Sequence, residues 1–227
     1  MPRRKTVFAN GETYHIYNRG IDGRDSFTNK REYERAVLAL SLYQYTNLPN
    51  RLSKILQMEN SSRNELLLKI KNTYPKRISI LSYCLMPNHF HFLLKQEEEK
   101  GIQKFASDFQ NSYTRYFNLS HKRNGPLFLI QFKAKRVEND YQLTHLSRYI
   151  HLNPYTSFLV DNFQDLENYA WSSFKEFLYY SKKESISDFD LVLNLFGKRK
   201  ISNYKKFVFD QKDYQRDMGR IKKLLFE

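Results

Sequence analysis

Residues 77–95 constrain the fold more than any other stretch of the chain. Arg77 to Met86 and His89 to Lys95 both read as strands, and only Pro87 and Asn88 separate them. Proline has no N–H to donate, so an edge, bend or bulge is expected at 87, turning the chain from one strand into the next. Successive strand side chains point to opposite faces, so His89 and His91 share one face while Phe90 points into the core behind. Two imidazoles so placed can hold one metal ion. Taken alone, such a pair is better read as two ordinary histidines on a half-buried strand. It gains meaning only with a third ligand, a nucleophile and a substrate.

The substrate class is suggested by charge. A formal charge of +14, with a pI near 9.7, calls for a polyanionic partner. Nucleic acid is the first candidate and an anionic membrane surface the second. The 227 residues suit one sizeable domain with an appendage or two small ones, and 18 Phe and 17 Tyr are enough for a real core. No apolar run approaches the roughly 20 residues needed to cross a bilayer, and the basic start does not resemble a secretory signal. Cys84 is the only cysteine, which excludes an intramolecular disulfide and a cysteine-rich zinc module. A soluble cytoplasmic protein is expected, nucleoid-associated when bound to DNA.

Around the His strand, residues 12–18 read as an opening strand carrying His15, which is read as a structural or substrate-contacting residue. Arg19, Arg24 and Lys30 make the next loop basic. Tyr33, Ala36, Val37, Leu40 and Tyr43 have helical spacing over 30–46. The polar stretch 47–76, with small apolar clusters, reads as a helical insertion. Residues 102–118 carry Ile102, Phe105, Phe109, Tyr113, Tyr116 and Phe117 at helical spacing, interleaved with Lys104 and Arg115. Such aromatics suit stacking on bases, and equally a core face, which is preferred for most of them. Residues 127–137 read as a strand ending in Lys133, Lys135 and Arg136. Asn139 or Asp140 caps a helix that stops at Asn153-Pro154. On it Tyr149 and Asn153 are stacked one turn apart, with His145 a turn earlier. Beyond Pro154 the pattern is helical, with a basic Lys198-Arg199-Lys200 knot and a polar helical tail over 202–227.

A tyrosine phenol, with a pKa around 10, is a weak nucleophile at neutral pH. It becomes useful when a metal polarises a phosphoryl group. Two imidazoles and one amide oxygen leave positions open for phosphate, which suits Mg²⁺ or Mn²⁺. Phenolate attack on a DNA phosphodiester would leave a phosphotyrosine and a hydroxyl, conserving the ester for later strand transfer.

These residues resemble a known family. Pro87 to Leu94 is similar to the histidine–hydrophobic–histidine strand of the HUH single-tyrosine transposases, the IS200-like domain. Gly125 to Phe128 with Phe132 to Ala134, Leu146 to Pro154, and Tyr14 to Gly20 resemble the family's other signatures in the same order. The match, over roughly residues 11–180, looks most like the REP-associated tyrosine transposases. It implies an α+β, ferredoxin-like core with a central antiparallel sheet and packed helices over 8–157, plus a helical C-terminal extension over 158–227. It also implies single-stranded DNA with a hairpin or palindromic repeat as substrate, cleaved and rejoined through a 5′-phosphotyrosine. By position Tyr149 matches the nucleophile, His89 and His91 the metal ligands, and Asn153 a third, polar ligand. Arg19, Arg115, Lys133, Lys135, Arg136 and Arg148 are the candidate DNA contacts. Where the family has Gln-x-Arg, this chain has Leu129-Ile130-Gln131, so one expected arginine contact is not assigned.

Three readings compete. The first is a metal-dependent nicking and strand-transfer enzyme using Tyr149, with Tyr113 and Tyr116 as rival nucleophiles. The second is a domesticated, sequence-specific DNA-binding protein without turnover, which the charge fits equally well. The third is a phosphodiesterase using water. A homodimer is a further candidate assembly.

Overall fold

The computed structural model describes residues 6–179, 181–183 and 185–210. Among these the order is β1 (Thr13–Arg19), α1 (Lys30–Tyr43), α2 (Leu52–Ile55), α3 (Asn60–Thr73), β2 (Ile78–Met86), β3 (His89–Gln96), α4 (Gly101–Ser120), β4 (Lys133–Arg136), α5 (Asp140–Thr156), α6 (Phe163–Asn168), α7 (Phe174–Tyr179), α8 (Asp190–Leu193) and α9 (Lys200–Phe209). The sheet is antiparallel, in the order β2-β3-β1-β4. With helices after β1 and β3, that order is the βαββαβ arrangement of a ferredoxin-like core. The α+β fold expected from the sequence is therefore the observed one. The part of the helical tail expected over 211–227 lies outside the described residues.

The chain divides into two compact units, one of residues up to Ser79 with 87–89 and 94–136, the other of 80–86, 90–93 and from Val137 onward. In the first, α1 and α4 pack together, and Ala36, Ala39 and Leu40 of α1 and Phe105, Phe109 and Tyr113 of α4 are all buried. The period of 3.6 puts the α4 aromatics on one stripe, and they form core. Tyr113 lies tilted against the Phe27 ring and donates its hydroxyl to the Ser26 carbonyl at 2.6 Å. Asn29 caps α1 by accepting from Glu32 N–H at 3.2 Å, and the Glu32 carboxylate reaches back to Thr28 N–H at 2.7 Å. This is a variant of the capping box.

The second unit is built on buried Leu81, Cys84, Ile150, Leu152, Phe174, Phe177 and Tyr204. Its core also holds a polar chain: His151, fully buried, lies 2.8 Å from the Ser173 hydroxyl and 2.7 Å from the Tyr204 hydroxyl, which in turn donates to Ser147 at 3.0 Å. That chain ties α5 to α9 and to the turn before α7. Buried polar groups persist only when so partnered.

Two details differ from the sequence reading. The strand expected over 127–137 is regular only at Lys133–Arg136. Tyr14 to Tyr17 pair with Arg136 to Lys133 in strict register, but Gly20 then bridges Phe128. The 129–132 segment thus carries two more residues than its partner and bulges, leaving Ile130 exposed. Helix α5 was expected to stop at Pro154, yet it runs through it to Thr156. Proline removes the N–H that would have reached the Ile150 carbonyl. The Asn153 side-chain amide lies 3.5 Å from that carbonyl and donates to the Tyr149 carbonyl at 2.8 Å, which lets the last turn persist.

Candidate functional site

In the first unit, His89 opens β3 beside a cavity of about 370 Å³ lined by Tyr17, Asn18, Arg19, Asn88, Leu129 and Lys133. The ring is oriented from behind. Asn88 donates its side-chain amide to the Gly23 carbonyl at 3.1 Å, which turns its Oδ1 toward His89 Nδ1 at 2.6 Å. The only proton that fits this contact sits on Nδ1, which makes Nε2 the deprotonated nitrogen of the neutral ring. Burial, reinforced by the Arg19 charge, holds the His89 pKa down to about 4. A neutral imidazole held in one tautomer by a neighbouring carbonyl is what a metal ligand requires. The Asn88 that turns the chain is thus also the residue that sets the imidazole, a role the sequence signal could have suggested from its place in the Pro-Asn-His run.

In the second unit, His91 is buried and the Tyr149 ring meets it edge-on, with centroids 5.5 Å apart and planes at 85°. Tyr149 itself is 40% exposed. Asn153, one turn on, is buried, and its amide nitrogen is engaged with its own helix as described above. Its Oδ1 is the atom that would serve as a ligand. Phe90, between the histidines, is buried and stacked on Phe92 at 4.4 Å on the opposite face of the strand. Among the described residues, no group of three or more His, Cys, Asp and Glu side chains is placed to hold a metal. The two-histidine-plus-amide set is of a different kind.

The basic candidates divide. Arg19 and Lys133 line the His89 cavity, and Lys133 also lies 5.9 Å over the Tyr17 ring. Lys135 pairs across from His15, whose pKa burial and that lysine hold down to about 4. His15 is buried and stacked on Tyr17 at 5.0 Å. Arg136 forks onto the Glu12 carboxylate at 2.8 and 3.1 Å. Arg148 is buried, its guanidinium 4.1 Å from the Phe207 ring centre and 2.8 Å from His145 Nδ1. Arg115 lines a different cavity of the first unit. Of the rival tyrosines, Tyr113 is buried with its phenol pKa pushed up, chiefly by burial and then by Glu32. Tyr116 lines the same cavity as Arg115.

The family model described as Transposase IS200 like matches residues 41–153, which spans the His strand, the tyrosine and Asn153. The chain belongs to the IS200-like transposase family. This places it among enzymes that act on DNA. In fold it is similar to a REP-associated tyrosine transposase solved bound to a REP hairpin. That likeness has a TM-score of 0.54 at 13% sequence identity and covers 83% of this chain and 93% of the other. No curated protein sequence matches. Among the described residues, no helix of this transposase-family chain is long and apolar enough to cross a membrane.

Proposed function

We propose that the chain cleaves and rejoins single-stranded, hairpin-associated DNA through a covalent bond to Tyr149. The observation that carries this reading is a half-exposed tyrosine standing edge-on to His91, on the strand whose other histidine is set in one tautomer by Asn88. The hairpin is inferred from the fold relative, which was solved with one.

His89 through Nε2, His91 from the same strand face, and Asn153 through Oδ1 would hold a divalent ion, Mg²⁺ or Mn²⁺. When bound, such an ion supplies Lewis acidity to the phosphoryl oxygens. The protein's own groups do the rest. Arg19 and Lys133 fix the phosphate beside His89, while Lys135, two residues along the same strand as Lys133, adds charge. The Tyr149 oxygen attacks phosphorus as its proton leaves to solvent, forming the P–Oη bond. The P–O3′ bond breaks and the leaving oxygen takes up a proton as a free 3′-hydroxyl. A second 3′-hydroxyl reverses the step, restores the phosphodiester and frees the phenol. Arg136 and Arg148, engaged by Glu12 and Phe207, hold the edge strand and α5 in place. The catalytic domain is assigned to 8–157, with 47–76 as an insertion and 158–227 as its extension.

The test is incubation of the full chain with Mn²⁺ and labelled single-stranded DNA carrying a hairpin. A denaturant-stable adduct is expected, absent in Tyr149→Phe and reduced in His91→Ala. An adduct that survives Tyr149→Phe overturns the assignment. Cleavage without any covalent species would support the water-using reading. Salt-sensitive binding with no cleavage in any divalent metal would support the DNA-binding one.

A further inference from the structure

The first unit has a second cavity, of about 910 Å³, that the chemistry above does not use. Its walls include Arg35 and Tyr43 of α1, Arg115 and Tyr116 of α4, and Arg51 and Lys54 from the 47–76 segment. With Arg77, five cationic side chains face it against one carboxylate, Asp108, and that carboxylate is taken by Arg77 at 2.6 Å. The Nε atoms of Arg35 and Arg77 are buried with no hydrogen-bond partner. A buried donor calls for an acceptor, which an ordered water or a bound anion can supply. Burial also pushes the Arg35 guanidinium pKa down, with nearby Tyr43 and Tyr116 opposing. An anion would offset that penalty.

The cavity offers more than charge. Arg35 lies over the Tyr116 ring at 5.3 Å, and Leu48, Pro49 and Leu119 supply apolar surface beside the two tyrosines. Guanidinium planes and aromatic rings side by side form a platform on which a base stacks while its phosphate meets the arginines. The volume lies within the range of small-molecule sites. We propose that this cavity binds a nucleotide, its phosphate on Arg35 and Arg115 and its base against the Tyr43–Tyr116 wall. The 47–76 segment, by closing one side with Arg51 and Lys54, makes the site. The proposal does not depend on Tyr149 chemistry.

A nucleotide of a DNA strand and a free nucleotide share this chemistry, and the test separates them. Full-length protein is titrated in chelator, so that metal-dependent cleavage is silent, with thymidine 5′-monophosphate and with an oligothymidylate of about ten nucleotides. Arg115→Gln and the pair Arg51→Gln with Lys54→Gln change side chains that need not disturb the core. If the occupant is part of a strand, Arg115→Gln should lower oligothymidylate affinity about tenfold and reduce the salt slope by about 0.7. If it is a free nucleotide, the monophosphate alone loses affinity. Lys69→Gln removes a charge from exposed α3 outside the cavity lining and is expected to change neither affinity beyond twofold. Both titrations are read as binding in chelator and need no adduct, so a failed adduct assay leaves this inference standing. Affinities within twofold of wild type for both probes in both cavity variants overturn it. An equal loss in Lys69→Gln does so too.

Discussion

His151 is the residue whose replacement most directly tests how α5 is held. It is fully buried, and burial holds its pKa down to about 3 from an ordinary 6.5. The proton sequence is consistent with a neutral ring. Ser173 donates to Nε2, Nδ1–H donates to Tyr204, Tyr204 donates to Ser147, and Ser147 donates to the Thr144 carbonyl at 2.8 Å. Between pH 6.5 and 3 the unfolded chain therefore binds a proton at this residue that the folded chain refuses. Stability from this residue is complete above the unfolded pKa and is lost as pH falls through that window. At pH 5 the unfolded residue is almost wholly protonated, and the loss is about 2 kcal/mol. That figure hardly moves if the folded pKa lies one unit higher. His151→Gln keeps a donor and an acceptor but does not titrate. At about pH 8 it should be less stable than wild type by about 1–3 kcal/mol, from imperfect hydrogen bonding and lost packing on Phe177. At about pH 5 that gap should shrink by about 2 kcal/mol. His15 and His89, also held down to about 4, titrate alike in both proteins and cancel in the difference. Urea unfolding in chelator at the two pH values measures the gap. A gap of equal size at both would refute a buried, neutral His151.

Tyr204→Phe deletes the hydroxyl that joins α9 to His151 and Ser147, and should cost about 1–3 kcal/mol in urea unfolding. Asn29→Ala removes the α1 cap, with a loss of about 1 kcal/mol and unchanged adduct formation. The Glu32 pKa is lowered on balance: burial raises it, but Thr28 N–H and His121 bonding outweigh burial. Its contribution is present above the unfolded value and lost as pH falls through the folded one. Glu32→Gln should accordingly flatten acid unfolding followed by circular dichroism below about pH 4.5. A Cβ on Gly101 would overlap the Arg77 carbonyl oxygen, so Gly101→Ala should lower the melting temperature through a strain of about 1–3 kcal/mol.

Much of the framework was legible because periodicity is local. The alternation around Pro87 placed β2 and β3, and the 3.6-residue spacing of Phe105, Phe109 and Tyr113 placed α4 and its buried stripe. Where the rules misled, a distant or side-chain partner had answered the local one. Pro154 does not end α5, because the Asn153 amide serves the carbonyls near it. The strand over 127–137 is broken, because Gly20 pairs with Phe128 two residues out of register. Charge was the least legible property. Arg19, Arg115, Arg136 and Arg148 look alike in sequence, yet they line a His cavity, line a second cavity, fork onto Glu12 and stack on Phe207.

By itself the sequence determined the order of elements, the shared strand face of His89 and His91, and the basic character that calls for nucleic acid. These follow from chain neighbours and from composition. Only tertiary structure decided that the Tyr149 ring stands on His91, that Asn88 sets the His89 tautomer, and that residues 35, 51 and 115 enclose one cavity. Those relations depend on where separate elements pack, and packing is fixed by the whole core rather than by any stretch of chain.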